Sequence, residues 1–176
     1  MSDPMALTIR DERAEDAMPI RRVIERAFGQ AGEADLVDAL RRGGALTVSM
    51  VAEAEGGIVG HVAFSPVTIR GSDTLYQGLG LAPLAVIPEK QRRGIGAALV
   101  RAGLEVCRAR GHRVVVLVGE PAYYRRFGFS TASEFGLECE IPVPVEAFLA
   151  VELSPGALSG RSAVVSYRPE FDAVGS

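Results

Sequence analysis

The sequence predicts an α/β domain, and three observations support this fold class. Two apolar runs, 79–87 ending in Val and Ile and 113–118 made largely of Val, are typical of buried strands. An amphipathic stretch with helical periodicity, 95–110, lies between them. A strand–helix–strand order implies that the two strands pair in parallel. With 176 residues the chain is long enough to bury a core, so we expect one domain over 1–176.

The N-terminal part alternates strand and helix patterns. Two segments rich in Val predict strands, and the Glu55-Gly56-Gly57 triplet between them is a hairpin turn signal. Apolar residues at helical spacing predict two helices, the second stopped by Gly43-Gly44. In order, the predicted elements are a strand at 7–10, a helix ending near Gly29, a helix at 33–42, and strands at 46–54 and 58–69.

The C-terminal part is less regular. Residues 121–127 predict a short helix closed by Gly128. Residues 141–144 read Ile-Pro-Val-Pro and cannot form a central strand, because two prolines remove ladder donors. We expect one or two helical turns at 146–151 and a closing strand at 162–167.

Composition excludes several classes of function. A net charge of −3 and a pI near 5.5 argue against nucleic-acid binding by bulk electrostatics. Cys107 and Cys139 match no metal-ligand spacing, and Cys107 is expected to be a small packing residue within the central helix. No apolar stretch is long enough to span a bilayer and no secretory signal precedes Leu7, so we expect a cytoplasmic protein with no membrane partner.

The loop before the central helix is a candidate phosphate site. The first turn of a helix has backbone N–H groups without internal partners, and the helix dipole adds partial positive charge there. Glycines let a ligand approach the backbone closely, and two arginines add full charge. The candidate residues are Gln91, Arg92, Arg93, Gly94, Ile95, Gly96 and Ala97. The alternative is that Arg92 and Arg93 are only solvated loop charges.

Two common phosphate motifs do not account for this loop. The P-loop needs GxxxxGK followed by Ser or Thr, and the sequence contains no such string. The dinucleotide fingerprint needs GxGxxG directly after a strand, whereas 94–99 supplies only its first half after an intervening basic loop.

The stretch resembles instead the signature of the GNAT superfamily of acetyl-CoA-dependent N-acetyltransferases. Val86-Ile87-Pro88 is followed by Gln91-x-x-Gly94-x-Gly96, and the segment 124–129, Tyr-Arg-Arg-Phe-Gly-Phe, matches a second family element downstream. The resemblance extends more loosely from Leu7 to about Tyr167. It implies a GNAT-like mixed, mostly antiparallel central sheet flanked by helices, in which parallel strands four and five splay apart.

The resemblance also implies how a donor binds. Acetyl-CoA would be the cosubstrate, without a metal, and its pantetheine arm would enter between strands four and five. Leu84, Ala85 and Val86 would line the thioester, and a backbone N–H there would stabilise the oxyanion of the tetrahedral intermediate. On the residues alone, these side chains could equally be core.

Tyr124 is the candidate catalytic residue. It matches the family tyrosine that protonates the departing thiolate, and a phenol with an ordinary pKa of about 10 is protonated at neutral pH. The alternative is a tyrosine that merely packs beside Tyr123 and Phe127. The chain departs from the common family pattern at 119–121, Gly-Glu-Pro, where many members carry an Asn and a longer helix.

The general base and the acceptor are not identified. His61, Glu33 and Glu120 are equally unproven as bases, and deprotonation through water needs none of them. The expected activity is transfer of acetyl to a primary amine, on a small molecule or a peptide, by a monomer or homodimer. By the resemblance, the acceptor would bind near the junction of the first two helices and the region 130–160. The competing hypotheses are a non-catalytic acyl-CoA-binding or sensor module on the same fold, and a nucleotide-binding regulatory domain.

Overall fold

A computed structural model describes residues 6–159 and 162–173. The strands are β1 Leu7–Asp11, β2 Val48–Ala54, β3 Gly57–Arg70, β4 Leu75–Val86, β5 Val114–Val118, β6 Ser130–Thr131, β7 Leu137–Cys139, β8 Phe148–Glu152 and β9 Ala163–Tyr167. The helices are α1 Ala17–Phe28, α2 Gly32–Arg42, α3 Ile95–Ala109 and α4 Pro121–Tyr124, with short 3-10 turns between elements. The strand order is β1-β2-β3-β4-β5-β8-β6, with β9 beside β3 and β7 beside β9. This is the mixed, mostly antiparallel sheet with parallel β4 and β5 that the sequence predicts.

The chain divides into two compact units. Among the described residues, the first unit contains 6–64, Ala82–Glu105 and 169–173. The second unit contains Ser65–Leu81 and the described residues of 106–168.

In the first unit, β1, β2 and the start of β3 form an antiparallel meander, and α1 and α2 pack on each other. The turn between β2 and β3 lies at the predicted hairpin, where Glu55 and Gly56 both have positive φ. The first helix ends at Gly29 as predicted. Helical spacing of apolar residues creates one buried face on each helix, consisting of Ile20, Val23 and Ile24 on α1 and Leu36, Val37 and Leu40 on α2.

The buried face of α3 differs partly from the predicted one. Ile95 and Leu99 are buried as expected, whereas Ala102 and Val106 are only half-buried. The reason is a close approach at Gly103: a Cβ there would lie 2.5 Å from the ring of Phe64 on β3. Leu99 and Gly103 are four residues apart and lie on the same face of α3, and this face packs against β3.

In the second unit, β5 is the central strand. It pairs in parallel with β4 at Leu79–Val115 and Gly80–Val116, and antiparallel with β8 over its whole length. The core contains Val114 and Val116 of β5 together with Ala150 of β8 and Val165 of β9. Cys107, near the end of α3, is buried as predicted.

One predicted element is wrong. Residues 146–151 do not form helical turns beyond a 3-10 turn at Val145–Ala147, because Phe148–Glu152 is strand β8. Four consecutive residues, 148–151, are buried, and pairing with β5 satisfies their backbone groups. The absence of a strand at 141–144 and the closing strand, now β9, agree with the prediction.

Candidate active site

The connection between β4 and α3 forms the loop that the sequence predicts to bind phosphate. After β4 the Ile87 N–H donates to the Val59 carbonyl at 3.0 Å, and a 3-10 turn covers Pro88–Lys90. Helix α3 begins at Ile95, and the Ala98 N–H donates to the Gly94 carbonyl at 3.0 Å. By helix geometry, the N–H groups ahead of Ala98 in this first turn have no acceptor within the helix, so they are available to a ligand.

The backbone of this loop bends in the left-handed region at two positions. Arg92 has φ +65° and Gly94 has φ +85°. Left-handed residues are a component of the backbone concavities that bind anions, and for a non-glycine residue this conformation is costly. At Gly94 the space that a Cβ would fill is open. The loop is thus shaped to keep its backbone accessible.

Side-chain contacts anchor the loop to the first unit. The Gln91 amide Nε2 donates to the Val86 carbonyl at 2.9 Å, which ties the loop to the end of β4. The neighbouring turn is held by an ion pair between Glu89 and Arg26 at 2.6 Å, and by another between Lys90 and Glu55 at 3.1 Å. Gln91, predicted among the phosphate ligands, therefore has a positioning contact, while Arg92 and Arg93 are exposed.

The end of β4 alternates in burial. Ala85 is buried, whereas Leu84 and Val86 are half-buried on the other face of the strand. Gly60 of the neighbouring strand β3 lies beside Ala85, since a Cβ there would be 3.2 Å from the Ala85 carbonyl oxygen. Of the three residues predicted to line a thioester, Leu84 and Val86 therefore have the more accessible side chains.

Tyr124 lies at the end of α4, in the second unit. Glu120 is the N-cap of this helix, and its carboxylate accepts the Ala122 N–H at 3.3 Å. The Tyr124 ring is half-buried and meets the ring of Phe129 edge-on, with centroids 5.8 Å apart. Burial raises the pKa of Tyr124 to about 12, with a smaller contribution from Tyr123. The phenol is therefore a proton donor throughout the neutral range.

The neighbouring tyrosine has a different environment. Arg126 lies over the ring of Tyr123, with Cζ 4.7 Å from the ring centroid. A cation over an aromatic face is a stabilising surface contact. Tyr123 thus has a structural partner on its face, and the two adjacent tyrosines are not interchangeable.

The first unit contains a buried polar network that is not predicted from the sequence. His61 is completely buried, with Nε2 2.8 Å from Ser49 Oγ, and the Ser49 hydroxyl is 2.7 Å from Glu12 Oε1. Because the carboxylate can only accept, Ser49 donates to Glu12, and His61 donates to Ser49 through an Nε2–H. Glu12 also binds Arg41 of α2 at 2.8 Å.

The charge state of this network follows from its surroundings. Burial lowers the pKa of His61 to about 4, so the imidazole is neutral near pH 7. Burial would raise the pKa of Glu12, but hydrogen bonds from Arg41 and Ser49 outweigh it and lower the pKa. Residues 12, 41, 49 and 61 share no motif spacing, and only a strand histidine flanked by apolar residues gives a hint in sequence. Since His61 is inaccessible, it is a structural residue and cannot deprotonate an acceptor directly.

The other base candidates have ordinary roles. Glu33 accepts the Gln30 side-chain amide at 3.1 Å, and Glu120 caps α4.

Within residues 6–159 and 162–173, no group of three or more His, Cys, Asp or Glu side chains could hold a metal ion. None of the helices described here is both long and apolar enough to cross a membrane.

The predicted residues therefore fall into two groups. The structure brings Gln91–Ala97 together with the end of β4 in the first unit. Tyr124 stands on the helix that follows β5, in the second unit.

Comparison with known proteins identifies the family. The model of the GNAT acetyltransferase domain matches residues 8–132. The uncharacterized N-acetyltransferase YhbS of Escherichia coli K12 is 40% identical over 167 residues, which cover 94% of this chain and 99% of YhbS. The crystal structure of E. coli YhbS with CoA has a TM-score of 0.91 at 38% identity, covering 99% of this chain and 97% of that one.

A second solved structure, a GNAT family acetyltransferase from Brucella melitensis in complex with acetyl-CoA, is also similar. Its TM-score is 0.77 at 38% identity, and the match covers 95% of this chain and 99% of the Brucella chain. The residues that carry the sequence resemblance lie in the loop between β4 and α3 and in the helix and turn that follow β5. The chain belongs to the GNAT family of acetyltransferases.

Proposed function

We propose that this protein transfers an acetyl group from acetyl-CoA to a primary amine. The loop that precedes α3 carries the proposal. It combines the first-turn N–H groups of α3, which have no acceptor within the helix, with an open backbone at Gly94 and the exposed cation of Arg92. A pyrophosphate suits this combination, because it can accept several N–H bonds while the helix dipole and Arg92 offset its charge.

The relatives support the identity of the donor. The YhbS structure contains CoA and the Brucella structure contains acetyl-CoA. A nucleotide such as ATP would also offer phosphates, but the loop lacks the lysine and hydroxyl of the P-loop. The loop therefore suits the diphosphate of CoA better than a triphosphate bound with magnesium.

The thioester end of the donor is assigned to the end of β4. A backbone N–H among Leu84, Ala85 and Val86 would donate to the carbonyl oxygen as it gains negative charge. Pro83 immediately before them has no N–H, so the donor has to come from one of these three residues if it belongs to this end of the strand.

In the reaction the amine nitrogen attacks the thioester carbonyl carbon, and the carbon–sulfur bond breaks as the tetrahedral intermediate collapses. The Tyr124 phenol donates its proton to the departing sulfur. The phenol is restored when it takes up the proton that the amine nitrogen releases. The net change is an amide plus free CoA thiol. A phenol whose pKa is raised to about 12 is weakly acidic but fully protonated, which a general acid needs.

Thiol release from acetyl-CoA, measured with and without a panel of primary amines, tests the proposal. We expect amine-dependent release and a matching acetylated amine by mass spectrometry. Acetyl-CoA binding without turnover on any amine would favour a non-catalytic acyl-CoA module. Failure to bind acetyl-CoA by calorimetry would contradict the loop assignment itself.

A further inference from the structure

The turn between β2 and β3 contains a glutamate in the left-handed region of backbone conformation. Glu55 and Gly56 connect the two strands, with φ +54° and +78°. A two-residue hairpin loop with positive φ at both positions favours Asn-Gly, Asp-Gly or Gly-Gly, because left-handed backbone is costly for most residues with a Cβ. Glutamate is not among the residues that this turn prefers. Backbone strain of this kind is concentrated at functional sites.

The strained turn is connected to the loop that precedes α3. Among the described residues, Glu55 and Arg92 are the two non-glycine residues with positive φ. Arg92 belongs to the loop itself, and Glu55 reaches the start of the loop through its side chain. Its Oε1 accepts a hydrogen bond from Nζ of Lys90 at 3.1 Å. One side-chain contact and two residues of chain therefore link the two strained positions.

Lys90 joins the hairpin to the turn ahead of the loop. Its side chain is only 14% exposed, whereas that of Glu55 is 57% exposed. The Lys90 N–H donates to the Ile87 carbonyl at 2.9 Å, and the Gln91 N–H donates to the Pro88 carbonyl at 3.3 Å. The backbone of Lys90 is thus part of the turn from which the loop begins, while its ammonium group is held by the hairpin.

We propose that Glu55 is a positioning residue for CoA, which acts through Lys90 on the loop 91–97. The inference rests on the proposed binding of CoA by this loop. A loop that is already ordered loses less conformational entropy when the diphosphate binds, so the contact increases affinity. The ion pair between Arg26 and Glu89 holds the same turn, so loss of Glu55 should weaken CoA binding without abolishing it.

The charge of Glu55 separates positioning from a direct electrostatic effect. An anion close to a phosphate site opposes binding, so charge alone predicts tighter CoA binding when the carboxylate is removed. The same sign is expected if Lys90 contacts the phosphates directly, because its ammonium would then be released from Glu55. Positioning predicts the opposite sign.

Glu55→Asn tests this sign, because it removes the carboxylate and supplies a residue that tolerates left-handed backbone. The Kd of CoA, measured by calorimetry, should rise about two- to fivefold, the scale of an exposed ion pair. Binding of pantetheine, which lacks the phosphates, should not change. A Kd of CoA that is unchanged or lower would overturn the proposal.

A second variant separates the contact from the stability of the hairpin. Glu55→Ala also removes the carboxylate but keeps the strain, so it should raise the Kd of CoA as much as Glu55→Asn does. The Asn variant should nevertheless unfold about 1–4 °C higher than the Ala variant. If the Kd instead followed the unfolding temperature, hairpin stability would explain the effect and the positioning role would be wrong.

Two further variants locate the effect. Asp35→Asn on α2 is the matched control, because Asp35 pairs with Arg21 at 2.8 Å and its side chain is 66% exposed. It should leave the Kd of CoA unchanged, and a loss equal to that of Glu55→Asn would overturn the proposal. In a Lys90→Met background, Glu55→Asn should not weaken CoA further, because the carboxylate acts through the ammonium. Losses that simply add would contradict this route.

Hydrogen exchange without ligand separates the inference from the proposed function. Glu55→Asn should speed exchange of the Lys90, Gln91 and Ala98 amides, which donate the hydrogen bonds of the turn and of the helix start. Unchanged exchange and an unchanged Kd, in a protein that binds CoA, would overturn the inference and leave the proposed acetyl transfer intact. Faster exchange in a protein whose wild type does not bind CoA would contradict the proposed donor, and with it the role of Glu55 in CoA affinity.

Discussion

The ring of Tyr124 packs directly on the backbone of Gly119, where a Cβ would lie 2.7 Å from Tyr124 Cε2. Gly119 is itself fixed, since its N–H donates to the Ala147 carbonyl at 2.9 Å next to the β5–β8 pairing. The position of the phenol thus depends on the absence of a side chain at residue 119.

Replacing Gly119 with Ala should displace the Tyr124 ring and reduce turnover while the fold is retained. A misplacement of about 1 Å in a catalytic group can lower the rate by about 10²-fold, and a loss in kcat on that scale is expected. Gly32→Ala is the control, because a Cβ at that surface glycine meets nothing within 4 Å. Normal kcat in the Gly119→Ala variant would mean that the position of Tyr124 does not matter for turnover.

Arg92 allows charge and backbone strain to be separated. Replacing Arg92 with Ala or with Gly should weaken CoA binding similarly, because both remove the same charge. The Gly variant should be more stable than the Ala variant by up to about 1–2 kcal/mol, since φ is +65° and left-handed backbone is costly for any residue with a Cβ. The greater entropy of glycine in the unfolded chain offsets part of this difference. Calorimetry and thermal unfolding measure the two effects.

Replacing Arg92 and Arg93 together with Ala should weaken CoA more than pantetheine, which lacks the phosphates. The salt dependence of CoA binding should also decrease, because screening acts on exposed charge pairs. Arg22→Ala on α1 is the matched control, since Arg22 is also exposed and lies in the first unit. Equal losses for CoA and pantetheine would contradict phosphate binding by these arginines.

Replacing Gly96 in the first turn of α3 with Leu should weaken acetyl-CoA while circular dichroism remains unchanged. A bulky side chain at this position would obstruct approach to the backbone N–H groups. Unchanged affinity by calorimetry would argue against a phosphate site at the helix start.

Stability should depend on pH through His61. Its pKa in the folded protein, about 4, lies below the ordinary value of 6.5, so the unfolded chain binds a proton at His61 more readily than the folded protein does. The folded state is therefore stabilised by neutral His61 above pH 6.5, and this stabilisation is lost as the pH falls toward 4. Between pH 7 and 5 the free energy of unfolding should fall by about 2 kcal/mol from this residue. In His61→Gln this fall should largely disappear. An unchanged pH slope would mean that His61 titrates normally in the folded protein.

Local patterns predict most of the fold. Apolar periodicity identifies α1, α2 and β5, and the parallel pairing of β4 with β5 follows from the strand–helix–strand order. Strand β8 is missed because the run 148–151 is short and apolar throughout, a pattern that suits a strand and a helical turn equally. Its pairing with β5, more than thirty residues earlier in the chain, decides the outcome.

The residues of the candidate site are also only partly predictable from local sequence patterns. The loop ahead of α3 and the position of Tyr124 are predictable because glycines and a tyrosine stand at motif spacing. The network of His61, Ser49 and Glu12 is not, since its members come from three separate strands or loops. Gly119 is visible in sequence as a glycine, but only the structure shows the ring that it accommodates.

The most direct test of the account is the kinetics of Tyr124→Phe, which removes one oxygen and keeps the ring that packs on Gly119. If the phenol protonates the departing thiolate, kcat should fall by about 10²–10⁴-fold. Acetyl-CoA affinity by calorimetry should hardly change, because the effect is confined to the transition state. Tyr123→Phe, with the same ring chemistry beside it, should remain active. Full activity of Tyr124→Phe with a good acceptor, or loss of activity only in Tyr123→Phe, would contradict the assignment of Tyr124 as the general acid.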